Sequence, residues 1–137
     1  MLTKKFFLLV AAVFLFPVAL SYGVDPSATL PKLMNITVAG TDQTQMFRAL
    51  MGLFLGMSTF CAIAALRRPE WQHVAVIWAV FFAYSQAIAR ILSLIVDGMP
   101  SPILLFYLAV ELAVGTIGLL VLSREPRKAE ARATVAS

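Results

Sequence analysis

Apolar residues in this chain collect in four long blocks, at 6–22, 46–66, 74–96 and 103–122, with polar segments between them. The last three are 20 to 23 residues long, matching the ~20 that a helix needs to cross about 30 Å of hydrocarbon. Lipid offers the backbone no hydrogen-bond partners, so each block is expected to be helical and to satisfy its own amides. The pattern predicts an all-α fold, a bundle of four transmembrane helices. It divides the chain into a first helix at 1–22, a loop at 23–45, a three-helix core at 46–122 and a polar tail at 123–137.

Composition agrees with that reading. Of 137 residues, 61% are hydrophobic and 13% charged, and the mean hydropathy is +0.88. Soluble domains are nearer 45–50% apolar and about 25% charged. A net charge of +4 would ordinarily raise nucleic-acid binding, but here the basic residues flank the apolar blocks, where they set membrane orientation. No nucleic-acid partner is therefore expected. Lys4, Lys5, Arg67, Arg68, Arg124, Arg127 and Lys128 fall at one level, and Lys32 alone in the opposite loops. By the positive-inside rule both termini are cytoplasmic. Trp71 and Trp78 lie near that same interface, as an aromatic belt does.

The first block, "KKFFLLVAAVFLFPVALSYG", has the basic start and small residues of a signal peptide, but its apolar stretch exceeds a typical signal core. A retained helix, in the form of an uncleaved signal anchor, is the expectation, and a cleaved signal peptide is the alternative. The loop after it is rich in turn-forming Pro, Gly, Asp and Asn. The tail is polar, alanine-rich and expected to be disordered. Cys61 is the single cysteine, which excludes an intrachain disulfide and a Cys-x-x-Cys site. His73, the one histidine, is juxtamembrane. No metal site, cofactor motif or Ser/His/Asp arrangement is evident, and no catalytic residue is assigned.

What remains are charges inside the spans: Arg48, Arg90 and Glu111. A charge at mid-bilayer costs roughly 2.5–3.5 kcal/mol on insertion scales, and such residues face protein or water. At ~1.5 Å per residue, Arg90 lies about 9 Å and Glu111 about 12 Å below the same end of the bundle. Helical spacing then groups residues by face. Arg48, Gly52 and Gly56 stack on the second span, with the glycines as a small-xxx-small packing face. Gln86, Arg90, Ser93 and Asp97 share a stripe on the third, and Tyr107, Glu111, Gly115 and Gly118 on the fourth. The expectation is an Arg90–Glu111 pair extended by Arg48 and Asp97 into a buried charged network. Gln86, Ser93 and Tyr107 would line a ligand cleft, and Gly52, Gly56, Gly115 and Gly118 would serve helix packing.

Two stretches, "TDQTQMFRALMGLFLG" (41–56) and "ARILSLIVDGMPSPILLFYLAVEL" (89–112), resemble the domain-of-unknown-function 4345 family of small four-span bacterial membrane proteins. The resemblance rests on an arginine opening span two, an Arg-x-x-Ser-Leu segment, a Gly-x-Pro turn and a glutamate within span four. Here these fall on Arg48, Arg90, Ser93, Gly98, Pro100 and Glu111. The chain has Phe47-Arg48 where the family has Arg-Phe, and Ala89 before Arg90 where glycine is common. The resemblance implies a four-span fold in a bacterial inner membrane and carries no activity. The functional expectation is a non-catalytic accessory, assembly or lipid-binding module, with membrane lipids, a homo-oligomer or a larger membrane protein as partner. The alternative is a small proton- or anion-linked carrier, working as a homo-oligomer, with Glu111 as its protonatable site.

Overall fold

The computed structural model describes residues 3–136, and side chains as far as Arg124. It contains five α-helices: α1 (Lys4–Gly23), α2 (Pro26–Met34), α3 (Gly40–Leu66), α4 (Gln72–Val96) and α5 (Pro102–Ala136). Four of them, with α5 counted to Arg124, are long and apolar enough to cross a membrane. No strand occurs among the described residues, and the all-α bundle is as the hydrophobic blocks require. Ser123 and Arg124, assigned to the tail from sequence, continue α5. The expectation of disorder beyond them concerns residues whose side chains lie outside the described set.

Each helix end has a local cause. Thr3 caps α1, its side chain accepting from the Phe6 amide at 3.2 Å, and so satisfies one of the orphan donors of a helix N-terminus. Pro17 lies inside α1, where a missing amide is tolerable in a membrane helix packed against neighbours. At the end of α4, Asp97 is the C-cap and Gly98 adopts φ 93°, a conformation that favours glycine. Pro102 then opens α5 at a position where no amide donor is needed.

The loop at 23–45 differs from the expectation of turns. Most of it is helical, as α2 and the first turns of α3. Asp25 caps α2 by accepting from the Ala28 amide at 3.1 Å, Pro26 sits in the first turn, and Asn35 closes it at φ 56°. Leu30 and Met34, one helical turn apart, give α2 a buried face. The helix signals outweighed the turn propensity of the same residues.

Packing joins α1 to α3 and α4 to α5, while α1 and α5 touch little. The close approaches are made mostly by alanine. Ala75, Ala79, Ala83 and Ala87, spaced by four, form the buried stripe of α4, and Ala11, Ala12 and Ala19 are buried on α1. The buried arc of α3 is Phe54, Met57, Ser58, Cys61, Ala64 and Ala65. The Ser58 hydroxyl donates to the Ala12 carbonyl at 2.8 Å and pins α3 to α1.

The glycines divide. A Cβ on Gly115 would stand 2.9 Å from the Tyr84 ring, and one on Gly118 would collide with Val80, so both let α5 approach α4. Gly52 and Gly56 correct the sequence reading: both are exposed, and a Cβ there would meet nothing within 4 Å. Each lies two residues from Phe54, the centre of the buried arc, which at ~100° per residue turns it to the far side of α3.

One core cluster, including Leu8, Cys61, Ala64 and Val76, fills the end where α1 begins. A second, around Tyr22, Leu30, Met34 and Phe54, fills the end covered by α2. Large apolar residues such as Val13, Phe81, Ile95 and Val96 remain exposed on the outside of the bundle, the side that lipid would cover.

Candidate functional site

The second cluster leads to the site. Tyr22, near the end of α1, is stacked against Phe54 at 5.5 Å between ring centres and against Phe47 at 6.4 Å. Phe54 in turn meets Phe82 of α4 edge-on at 5.3 Å. This aromatic stack fixes the Tyr22 ring, and its hydroxyl interacts with Arg90, while the Tyr107 hydroxyl meets Ser21.

Arg90 and Glu111 are brought together. The guanidinium Nε donates to both carboxylate oxygens, at 2.9 and 3.0 Å, and the side chains retain 21% and 14% of their exposure. Arg90 also lies over the Tyr107 ring, 5.5 Å from its centre, a cation–π geometry. Because Nε makes the pair, the terminal amino groups of the guanidinium can address other acceptors.

The wider network expected from sequence does not form. Asp97 is exposed and accepts instead from the Ser93 hydroxyl at 2.7 Å, one turn back on its own helix. Arg48 is also exposed and acts electrostatically on Asp25 at the start of α2. Asp97 caps the end of α4, where its charge reaches water, and Arg48 lies on the outward side of α3 with Gly52 and Gly56. Arg90 and Glu111 lie on inward faces, and their cheapest partner is each other.

Beside the pair runs an apolar cleft of about 120 Å³. Every membrane-spanning helix contributes to it, with Leu15, Phe54, Ala83 and Val110 among its walls and Arg90, Tyr107 and Glu111 at one end. Phe14 and Phe106 also line it, and each is 55% exposed, marking the rim between α1 and α5. Counting residues from Val18 to Ala11 and from Arg90 to Ala79, the cleft runs about 10–16 Å along the helices at ~1.5 Å per residue. Helix α2 packs on α1, α3 and α5 and covers the charged end, with Ile103, Leu104 and Tyr107 against the cluster that holds Leu30 and Met34. The opening is therefore sideways.

Of the expected lining residues, Tyr107 lines this cleft. Ser93 lines a smaller recess of about 60 Å³ on the other side of Arg90. Gln86 is half-buried on α4. Sequence reasoning missed Tyr22, Phe54 and the cover supplied by α2. The available signal for Tyr22 was a polar-tipped aromatic closing an apolar block, which is also how an ordinary interfacial tyrosine looks. No group of three or more His, Cys, Asp or Glu side chains that could hold a metal ion occurs among the described residues.

Residues 3–122 match a family model described as Domain of unknown function (DUF4345). The chain belongs to the DUF4345 family. The match includes α1 as well as the core that carried the resemblance, so the DUF4345 unit is the complete four-helix arrangement around the cleft. No curated protein and no solved structure matches the chain. For this DUF4345 protein, function rests on the site itself.

Proposed function

We infer that this protein is a non-catalytic membrane module that takes the chain of an amphiphilic lipid into the cleft between α1 and α5. The observation that carries the reading is the shape of the cleft: apolar walls, one polar end and a sideways opening between α1 and α5, with α2 across the polar end. With the helices in a bilayer, a ligand of that access must already be dissolved in the membrane, and its polar group would stop at Arg90, Tyr107 and Glu111. Pockets of this kind, apolar with a few convergent polar groups, are the ordinary form of small-molecule sites.

The carrier reading has less support. It needs Glu111 to exchange protons, whereas both Glu111 oxygens accept from Arg90.

In this reading the protein sits in a bacterial inner membrane with its termini in the cytoplasm. Arg67 and Arg68 follow α3, and Lys4 opens α1 at the same end of the bundle, which supports that orientation through the positive-inside rule. A cysteine replacing Lys32 should react with a membrane-impermeant maleimide in whole cells, and one replacing Arg124 should not.

Lipid binding is tested by native mass spectrometry of the full chain extracted into mild detergent. The expected result is one retained lipid-mass adduct, lost when Val110→Trp fills the cleft. An adduct that survives Val110→Trp, or a chain that never carries one, would remove this reading.

A further inference from the structure

We propose that the cleft selects an uncharged, ring-headed amphiphile, a hydrocarbon-tailed quinone, over anionic phospholipids. The proposal deepens the lipid-binding reading and rests on it.

Charge is the first argument. The polar end of the cleft carries one guanidinium and one carboxylate, already paired at 2.9 Å. An anionic head brought beside Arg90 would place a second negative charge next to Glu111. In a site of low effective dielectric that repulsion is costly. A cationic head would meet Arg90 in the same way. A neutral head adds no charge to a pair that is balanced.

The hydrogen-bonding inventory sets the second condition. Both Glu111 oxygens accept from Nε. What the lining offers to a ligand is mainly donors: the part of the Arg90 guanidinium not engaged by Glu111 and Tyr22, and the phenol of Tyr107. A head presenting acceptors, such as ring carbonyls, matches that set.

The third argument is shape. Phe54, Phe82, Phe106 and Tyr107 all line the cleft, with the Phe54–Phe82 edge-on contact holding the wall in place. Flat aromatic faces pack against a flat ring in offset or edge geometries. The rest of the cleft, down to Ala11, Ala79 and Val114, is apolar, with Phe14 its one further aromatic, and lies along the axis a tail would follow.

The test titrates the full chain, in phosphatidylcholine nanodiscs and fluorescently labelled, with decylbenzoquinone, dioctanoylglycerol and dioctanoylphosphatidylglycerol, following binding by thermophoresis. The quinone should bind at least tenfold more tightly than the phosphatidylglycerol and several-fold more tightly than the diacylglycerol. Glu111→Gln, which leaves Arg90 with a net positive charge, should shift the preference toward phosphatidylglycerol by tenfold or more. Tyr107→Phe keeps the ring under Arg90 and removes one donor from the lining; it should weaken the quinone three- to tenfold and leave phosphatidylglycerol unchanged, which keeps the test decisive if Glu111→Gln does not fold. Phosphatidylglycerol binding as tightly as the quinone, with both abolished by Val110→Trp, overturns this proposal and leaves the lipid-binding reading standing. A diacylglycerol preferred to the quinone overturns the ring-headed ligand. Binding of none of the three overturns both readings.

Discussion

Arg90 is tolerated well inside an apolar helix because Glu111 stands opposite it on α5, 2.9 Å away. Breaking a buried pair leaves one charge without compensation, whereas replacing both partners by neutral side chains is often nearly neutral. Glu111→Gln and Arg90→Met alone are each expected to lose about 2–4 kcal/mol of stability, and the double variant to recover most of it. Thermal unfolding in detergent would show this, and two single-variant losses that simply add would argue against a pair. The glycines make a second contrast. Gly118→Leu forces a side chain into Val80 and Phe7 and should cost about 1–3 kcal/mol as overpacking. Gly52→Leu enters open space and should change stability by no more than about 0.5 kcal/mol. Equal effects at the two positions would contradict the outward orientation of Gly52.

Helix α2 is the element whose stability depends most directly on one exposed group. Ser27 and the Ala28 amide hydrogen-bond the Asp25 carboxylate and hold it below the usual carboxylate range. A pKa lowered on folding contributes stability that is present above the unfolded value of about 3.9 and is lost as pH falls through the folded value. Protection of the α2 amides, taken relative to their intrinsic exchange rates, should therefore fall as the pH is lowered below about 4, and Asp25→Asn should remove most of that dependence while keeping a capping side chain. Exchange in the middle of α3, far from the cap, should not follow the same titration. Because α2 covers the charged end of the cleft, its loosening should also admit water to Arg90.

Across the whole molecule, two helix pairs meet along an incomplete seam. The α1/α3 and α4/α5 contacts are extensive and the α1/α5 contact is slight, which leaves the cleft open to one side. Helix α1 is a wall of that cleft, through Leu15 and Val18, and a main contributor to both core clusters, through Leu8, Ala19 and Tyr22. A chain lacking residues 1–23 is accordingly expected to lose the fold rather than keep a three-helix remnant. Size-exclusion chromatography in detergent should show aggregated material, and a monodisperse three-helix species would contradict this assignment of α1.

The sequence by itself determined the class of the fold and one central contact. Four apolar blocks in a medium that cannot hydrogen-bond to backbone leave helices as the solution, and two opposite charges at matching depths leave each other as partners. It also marked the turn at Asp97 and Gly98, where backbone requirements are local. Tertiary structure alone decided the rest, because helical periodicity groups residues by face without saying which face meets a neighbour. Gly52 and Gly56 form a regular stripe, yet they point outward because Phe54 and Cys61 take the inner arc. Arg48 shares the outward face of Gly52 and Gly56, and Asp97 sits at the C-cap of α4 within reach of water, so neither joins the network. The cleft itself belongs to no single stretch of sequence: it exists because α1 and α5, nearly 80 residues apart, are held close by other helices while packing on each other only slightly.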